Sequence, residues 1–288
     1  MDTNRRRILA SGMAAAIVRP ALAQGTQLRF GVGPLLPNPD DTVRAYTPIF
    51  AYLAQQLGVR FDLKATTDWA GMAMAMGSGQ LDVAWMGPWG YVIAHAATGC
   101  QAVATANYDG KPIYHAIIIG RPDLQIAHFP DDTKGRSISF ADVGSTSGWL
   151  IPTYYAKEIW KIDPRAFWKY NEGATHAANE IAVSSGQVDM ATDFDRNRTA
   201  MIESGKVKPD ANRIRWTSDP LPNDAIALPA TASPDLMAHV QTVLTAITVD
   251  QAKSLLPPHY TGFVPATHAS YTSIEKAGIA VGKIKPLP

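Results

Sequence analysis

Ser78-Gly79-Gln80-Leu81-Asp82-Val83-Ala84-Trp85 recurs, 107 residues later, as Ser185-Gly186-Gln187-Val188-Asp189-Met190-Ala191-Thr192. Five of the eight positions are identical. In each copy a glycine that can end a helix precedes an apolar strand, and the carboxyl end of such a strand is where open α/β folds bind ligands. Chance similarity of two common helix-glycine-strand joints is the alternative. The repeat predicts two lobes of the same local design that face one cleft.

The segments around both copies alternate between apolar strands and helical patterns, which is typical of parallel sheets covered by helices. The predicted crossings between lobes are residues 114–119 and 214–226, which lie before and after the second series and form a hinge that permits closure. We predict a lobe 1 made of residues 24–118 and 222–288 and a lobe 2 made of residues 119–221. The predicted fold is α/β, with two lobes joined by a two-strand hinge and the ligand in the cleft.

Residues 1–23 have the pattern of a signal peptide. Three arginines at positions 5–7 precede a short apolar run at 8–18, and Ala21-Leu22-Ala23 forms a small-x-small cleavage site. The paired arginines fit the twin-arginine export route, and a basic Sec signal is the alternative. We expect a mature chain that begins near Gln24 and lies in the periplasm, soluble because no later stretch approaches the roughly 20 apolar residues of a membrane span.

Charge and composition exclude several classes of function. Removing residues 1–23 takes away four arginines and one aspartate, which changes the formal charge from +1 to −2 and argues against nucleic-acid binding. The single Cys100 cannot form an internal disulfide and is expected to be a small buried residue. His-x-x-x-His spacing is absent from the sequence, so we predict neither a metal nor a cofactor.

Ser145-Thr146-Ser147 is the strongest candidate binding motif. It lies between a predicted strand at 137–140 and a predicted helix from about 146 to 160. A helix start offers unpaired N–H groups and the positive end of the helix dipole, which together can hold a compact anion without arginine or lysine. An ordinary N-cap is the alternative.

Two further polar residues are expected to reach the same cleft. His176 opens the next helix at the repeat position of Trp69 and can donate a hydrogen bond to an oxyanion, with a surface or capping histidine as the alternative. Asp224 lies beside a predicted crossing. A carboxylate repels an anion unless a proton lies between them, so Asp224 would select an oxyanion that keeps a hydroxyl proton. A structural aspartate in a turn is the alternative.

Aromatic and acidic residues follow the two repeat strands. Met86-Gly87-Pro88-Trp89-Gly90-Tyr91 places two aromatic groups where they can shield a ligand from water, although packing alone explains one of them. Trp69 is more often a packing residue in its position. Asp193 and Asp195 follow the second strand, and capping of the next helix is favoured over ligand contact for both.

These motifs, in order and spacing, resemble the periplasmic binding components of phosphonate, phosphite and hypophosphite ABC importers, and the hypophosphite/phosphite branch above all. The resemblance covers nearly all of the chain after residue 23, and the stretches that carry it are 44–50, 82–91, 145–152 and 221–224. The resemblance implies a type II periplasmic-binding fold. It also implies oxyanion contacts at Ser145, Thr146, Ser147 and His176, an aromatic contact at Tyr46 and an acidic contact at Asp224.

Three departures from the family pattern bear on the ligand. Met86 replaces a tyrosine of the aminoethylphosphonate binders, and Arg196 replaces the glutamate that pairs with the ligand ammonium. Amino-phosphonates are therefore disfavoured unless Asp193 or Asp195 substitutes. His176 replaces an aromatic residue of the nearest hypophosphite binders, and the added donor favours a third oxygen, so phosphite and methylphosphonate compete with hypophosphite.

The predicted function is that of a monomeric solute-binding protein of an ABC importer, without enzymatic activity, whose partner is a membrane permease. The predicted ligand contacts are Tyr46, Trp89, Tyr91, Ser145, Thr146, Ser147, His176 and Asp224, with Trp69, Met86, Asp193 and Asp195 as a second group. A larger phosphonate or a sulfonate-like or sulfate-like anion is the alternative ligand. A serine hydrolase or phosphoesterase is the remote alternative.

Overall fold

The computed structural model describes residues 26–36 and 38–286. The predicted signal peptide at residues 1–23 lies outside the described residues. Among the described residues, no helix combines the length and apolar character that crossing a bilayer requires.

Lobe 1 contains a six-stranded sheet with the order β13-β4-β12-β3-β1-β2. Its strands are β1 (Gln27–Val32), β2 (Arg60–Ala65), β3 (Val83–Met86), β4 (Gln101–Tyr108), β12 (Ala225–Leu228) and β13 (Tyr260–Pro265). Strand β1 pairs in parallel with β2 and β3, whereas β12 and β13, which arrive late in the chain, run antiparallel to their neighbours. The chain therefore returns to lobe 1 after building lobe 2, as two crossings require.

Six helices cover this sheet. They are α1 (Pro39–Leu57), α2 (Trp69–Gly77), α3 (Pro88–Thr98), α8 (Pro234–Thr245), α9 (Val249–Leu255) and α10 (Thr272–Ala280), with a 3₁₀ turn at His268–Tyr271 before α10. Helix α1 shows why these segments are helical. Asn38 caps its start by accepting the N–H of Asp40 at 2.8 Å, and Gly58 ends it with φ +70°.

Lobe 2 contains a five-stranded sheet with the order β10-β6-β9-β7-β8. Its strands are β6 (Ala116–Gly120), β7 (Ser137–Ala141), β8 (Lys169–Ala174), β9 (Met190–Phe194) and β10 (Arg213–Thr217). Its helices are α4 (Ile151–Tyr154), α5 (Pro164–Phe167), α6 (His176–Ser184) and α7 (Asp195–Glu203), with a 3₁₀ turn at Asp131–Thr133. Helix α4 lies between two π-helical turns, Thr146–Leu150 and Tyr155–Ile159, so the predicted helix from 146 to 160 is one continuous but irregular helical segment.

Two short strands, β5 (Ile113–Tyr114) and β11 (Leu221–Pro222), pair antiparallel to each other between the two large sheets. The predicted crossings at 114–119 and 214–226 contain them but are too long, because β6 and most of β10 belong to the sheet of lobe 2. The lobe boundaries between residues 118 and 119 and between 221 and 222 stay a prediction.

The sequence repeat is matched by a structural repeat. Asp68 and Thr175 cap α2 and α6 by accepting the N–H of the third helical residue, at 2.6 and 3.1 Å. Gly79 and Gly186 follow these helices with φ of +69° and +77°, values that favour glycine. Strands β3 and β9 begin at Val83 and Met190, which keeps the 107-residue offset of the sequence repeat.

Burial explains stability without a disulfide. Two large clusters of buried apolar side chains fill the space between the sheets and their helices. Cys100 is fully buried in the larger of them, and burial raises the pKa of its thiol to about 12, as expected of an inert packing residue.

Candidate functional site

A cavity of about 380 Å³ lies between the two lobes. The carboxyl ends of β3, β7 and β9 lead into it, which is the position that the repeat predicted for a ligand site. The cavity brings together seven of the predicted residues, namely Tyr46, Trp69, Ser145, Thr146, Ser147, His176 and Asp224.

The Ser145-Thr146-Ser147 run begins the helical segment that follows β7. Ser145 is the N-cap, and its Oγ accepts the N–H of Gly148 at 3.0 Å. Thr146 and Ser147 occupy the first turn, where N–H groups have no partner within the helix. Because all three side chains are buried yet line the cavity, hydroxyl and amide donors converge there with little competing water.

Thr146 also joins the lobes, because its Oγ1 accepts the backbone N–H of Trp89 from lobe 1 at 2.8 Å. Tyr114, from the first crossing, lines the same cavity. The serine-threonine run of lobe 2 is therefore anchored to lobe 1 through Thr146.

His176 is the first residue of α6, and its ring lies against Ser145. Its Nε2 is 3.0 Å from the Oγ of Ser145, and its Nδ1 is 3.0 Å from Oδ1 of Asp193 but off the line of a hydrogen bond. Burial lowers the pKa of His176 to about 4, and the charges of Asp142 and Glu180 only partly offset that effect. In the ligand-free protein the ring is therefore neutral at physiological pH and has one N–H to donate.

Asp224 lies on the opposite side of the cavity, immediately before β12. Its Oδ2 accepts the indole N–H of Trp85 at 3.0 Å. Burial raises the pKa of Asp224 to about 6, against the lowering effects of Trp85 and Arg196. Its carboxylate is ionised at neutral pH and acts there only as a hydrogen-bond acceptor.

Tyr46 and Trp69 provide aromatic surface from lobe 1. The ring of Tyr46 packs edge-on against Trp85, with centroids 5.0 Å apart, and it is almost completely buried. The backbone N–H of Trp69 donates to Oδ1 of Asp142 across the cleft at 3.1 Å, so the start of α2 docks onto the loop that precedes Ser145.

Residues 35–271 match the family model described as "ABC transporter, phosphonate, periplasmic substrate-binding protein". The chain belongs to this family of phosphonate-binding proteins. It is 25% identical over 271 residues to the "Phosphate-import protein PhnD" of Mycolicibacterium smegmatis, covering 86% of this chain and 84% of that protein. It is 28% identical over 217 residues to the "Phosphonates-binding periplasmic protein" of Escherichia coli, covering 74% of this chain but only 64% of that protein.

The solved structures confirm the type II periplasmic-binding fold. PhnD1 from Prochlorococcus marinus, solved in complex with methylphosphonate, superimposes with a TM-score of 0.77 at 18% identity and covers 90% of this chain and 99% of that one. At such identity the likeness shows the fold alone. The family is periplasmic, and its members named here are transport proteins, which agrees with the prediction that this binding protein is not an enzyme.

Five predicted residues do not line the cavity of this binding protein: Trp89, Tyr91, Met86, Asp193 and Asp195. Gly87 and Pro88 line it instead, and helix α3 then turns the following side chains away from the cavity. The Trp89 indole donates to the carbonyl of Val143 at 3.3 Å, and the Tyr91 hydroxyl lies 3.3 Å from Nδ1 of His268. Both rings are core residues, so only the backbone of Trp89 approaches the site.

The two aspartates are also placed differently from the prediction, because neither side chain caps α7. Asp193 is completely buried behind His176. Asp195, in the first turn of α7, accepts the N–H of His115 at 3.1 Å and so fixes lobe 2 to the first crossing.

Sequence reasoning did not place several cavity residues in the site, among them Tyr108, Tyr114, Asn223 and Tyr260. Two of them could have been predicted from the sequence, because Asn223 adjoins Asp224 and Tyr114 lies in a predicted crossing. Tyr108 and Tyr260 carried none, because only the pairing of β4 with β13 brings them to the cleft.

Arg196 also lines the cavity. Its guanidinium lies 4.3 Å from the ring centroid of Tyr108, and it donates to the carbonyl of Ile113 in the first crossing. A cation in this place disfavours a ligand ammonium group, as we inferred from the arginine that replaces the glutamate of the aminoethylphosphonate binders.

A catalytic triad places a nucleophile, a base and an orienting acid in contact with one another. The contacts of Ser145, His176 and Asp193 resemble that arrangement. Two features oppose catalysis. The Ser145 Oγ already accepts a backbone N–H, and burial makes His176 a weak base, with its pKa at about 4. The same groups are well suited to hydrogen-bond an anion. Among the described residues no group of three or more His, Cys, Asp or Glu side chains is arranged to hold a metal.

Proposed function

We propose that this protein captures a small phosphorus oxyanion, namely phosphite, hypophosphite or methylphosphonate, by closure of the lobes, and presents it as a monomer to the permease of an ABC importer. The observation that carries the proposal is the composition of the cavity. Donors from Ser145, Thr146, Ser147 and His176 face a cavity whose lining also contains the buried carboxylate of Asp224.

The Asp224 carboxylate supports selection of an oxyanion that keeps a proton. A ligand with a P–OH group donates to this carboxylate, whereas sulfate offers no proton and leaves two negative charges facing each other. Hypophosphite carries no P–OH when ionised, so this geometry favours phosphite and methylphosphonate over it.

A larger phosphonate is the second candidate, and the size of the cavity favours it. A volume of about 380 Å³ exceeds what a single small oxyanion fills and reaches the lower end of the range for sites that bind organic ligands. A small ligand would share this space with ordered water molecules.

Calorimetric titration of the mature chain tests the proposal. The panel comprises phosphite, hypophosphite, methylphosphonate, 2-aminoethylphosphonate, phosphate and sulfate. We expect the tightest binding among phosphite and methylphosphonate, and weak binding of sulfate and of the amine-bearing ligand. Tight sulfate binding with no response to any phosphorus compound would refute the proposal.

Two further measurements test whether the ligand is consumed and whether the protein is a monomer. Phosphorus NMR over several hours should show the bound ligand unchanged, whereas its consumption would support the hydrolase alternative. Light scattering should give the mass of a single chain with and without ligand.

A further inference from the structure

Arg196 is a half-buried cation of the cavity that forms no ion pair with any residue the structure describes. Its guanidinium lies 4.3 Å from the ring centroid of Tyr108 and 5.4 Å from that of Tyr114, and it donates to the carbonyl of Ile113. A guanidinium has several N–H donors, so most of them remain available to another acceptor. Because a partly buried charge without an ionic partner is costly, its presence in the ligand cavity requires an explanation.

The other charged groups of the lining are in different situations. Glu203 lies 3.0 Å from Nε2 of His259, which raises the pKa of that imidazole and so favours its charged form. Asp224 accepts an indole N–H at 3.0 Å, and Lys206 is exposed at the end of α7. Arg196 is therefore distinguished by partial burial together with donors that the fold leaves unused.

The guanidinium of Arg196 is also held in a fixed position. Arg196 belongs to α7 of lobe 2, whereas Tyr108 ends β4 of lobe 1 and Ile113 belongs to the first crossing. Stacking on a ring and donation to a carbonyl restrict the planar group from two directions. A donor group that is already ordered loses little conformational entropy when a ligand binds.

Aromatic side chains connect Arg196 to the oxyanion donors. The Phe194 ring packs edge-on against the imidazole of His176 at 4.8 Å and against the ring of Tyr114 at 5.9 Å, and Tyr114 in turn faces Arg196. All four residues line the cavity. Since methylene groups pack favourably on aromatic rings, this surface suits a short carbon chain that runs between two polar ends.

We propose that Arg196 forms a second anion subsite of the cavity, and that the site takes phosphonates whose short carbon chain ends in a carboxylate. The inference rests on the proposed function and specifies its second candidate, the larger phosphonate. The phosphoryl group binds the serine-threonine run and His176, and the guanidinium donates two N–H groups to the carboxylate. The cavity volume of about 380 Å³ leaves room for such a ligand.

Balancing the charge of Asp224 is the alternative role for Arg196. The two side chains form no ion pair, but the positive charge of Arg196 lowers the pKa of Asp224 against the effect of burial. The two roles differ in what they do to ligands. A balancing charge affects every phosphonate alike, whereas a carboxylate subsite affects only those ligands that carry a carboxylate.

Calorimetric titration with 3-phosphonopropionate and propylphosphonate separates these roles. The two ligands have chains of equal length, with a carboxylate in one and a methyl group in the other. The wild-type protein should bind the carboxylated ligand at least about tenfold more tightly, as charge-assisted paired hydrogen bonds predict. Arg196→Gln should abolish that preference and change the affinity for propylphosphonate by less than about threefold.

Lys206→Gln is the matched control, because it removes the same charge from an exposed position of the same cavity lining. It should keep the preference for the carboxylated ligand within about threefold, since an exposed charge is screened by solvent. Thermal unfolding of both variants verifies that they are folded. Loss of the preference in Lys206→Gln would show that general electrostatic attraction is responsible and would overturn the inference.

Two further outcomes would also overturn it. One is equal affinity of the wild-type protein for the two ligands, which needs no variant to be measured. The other is an equal loss of affinity for both ligands in Arg196→Gln, which would assign Arg196 to the phosphoryl group or to Asp224. Methylphosphonate distinguishes the two levels of the argument: if it binds without any preference for a carboxylate, only the second subsite fails, and if no phosphonate binds, the proposed function fails as well.

Discussion

Ser145 combines two tasks in one atom. Its Oγ caps a helical segment and also contacts the Nε2 of His176. Ser145 is an N-cap that also lines the cavity. The sequence could not distinguish an ordinary cap from a ligand contact because this residue fits both descriptions.

Ser145→Ala should therefore lose both stability and affinity. We expect a cost of about 1 kcal/mol in the free energy of unfolding from the missing cap, and a loss of at least tenfold in affinity for the preferred ligand. Ser233 offers a matched control, because its side chain caps α8 by accepting from Leu236 at 3.2 Å in lobe 1. Ser233→Ala should cost similar stability in urea unfolding and leave the calorimetric affinity unchanged. An equal loss of affinity in both variants would contradict a ligand contact at Ser145.

Asp224 is a residue that weakens the ligand-free fold. Burial raises the pKa of Asp224 to about 6, above the usual value for an aspartate. Ionising it therefore costs more in the folded chain than in the unfolded chain, and this cost appears as pH rises through that window and is absent at low pH. Asp224→Asn should make the ligand-free protein more stable at pH 8 by roughly 2 to 3 kcal/mol, with no gain at pH 3. Urea unfolding at the two pH values measures this difference.

The same variant should bind differently. An amide offers a donor as well as an acceptor, so Asp224→Asn should weaken binding of methylphosphonate and relax the rejection of sulfate. Calorimetry with both ligands decides the point, since unchanged affinities and selectivity would show that Asp224 has only a structural role.

At the scale of elements, the start of α2 meets the loop 142–145 across the cleft. A Cβ built on Gly144 would lie 2.4 Å from the backbone N of Ala70 and 2.7 Å from the carbonyl carbon of Trp69. The backbone atoms of a capped helix cannot move aside as a flexible side chain can. A side chain at position 144 would therefore keep the two lobes apart, and closure requires glycine there.

Gly144→Ala should accordingly oppose closure. We expect at least tenfold weaker ligand binding and, in small-angle scattering with saturating ligand, a larger radius of gyration than that of the ligand-bound wild type. Gly77→Ala is the control, because its Cβ would meet only Cγ2 of Thr98 at an ordinary 3.8 Å. Ligand-bound Gly144→Ala with wild-type dimensions would disprove this role of Gly144.

At the scale of the whole molecule, an ion-pair bridge connects the lobes at the cavity rim. His259, before β13 in lobe 1, lies 3.0 Å from Glu203 of α7 in lobe 2 and 3.2 Å from Asp109 in its own lobe. Hydrogen bonding to Glu203 raises the pKa of His259, with a further contribution from Asp109. The bridge is therefore charged below that raised pKa and is lost as pH rises through it.

Glu203→Gln should weaken ligand binding at pH 6 and make little difference at pH 9. The groups are partly exposed, so the expected effect is below about 1 kcal/mol, or less than about fivefold in affinity. Glu158→Gln, which alters an exposed pair with Lys161 within lobe 2, is the control and should show no such pH dependence. Calorimetric measurement of the ligand affinity at both pH values tests this prediction. An effect of equal size at pH 6 and pH 9 would show that the His259–Glu203 ion pair does not contribute to binding.

Short-range sequence patterns were enough to predict the local design of the lobes. Helix caps, the glycines after α2 and α6 and the repeat spacing act over a few neighbouring residues, so the α/β lobes, the repeat and the cavity positions of Ser145, His176 and Asp224 were predictable. The family resemblance supplied the type II fold.

Which side chains face the cavity depends instead on long-range packing. Trp89 and Tyr91 follow a strand that ends at the site, but α3 rotates both rings into the core, and no short-range pattern specifies that rotation. The pairing of β4 with β13 brings Tyr108 and Tyr260 together from distant parts of the chain. Burial likewise raises the pKa of Glu180 and of Asp193, and no short-range pattern specifies that packing removes water from these two acids.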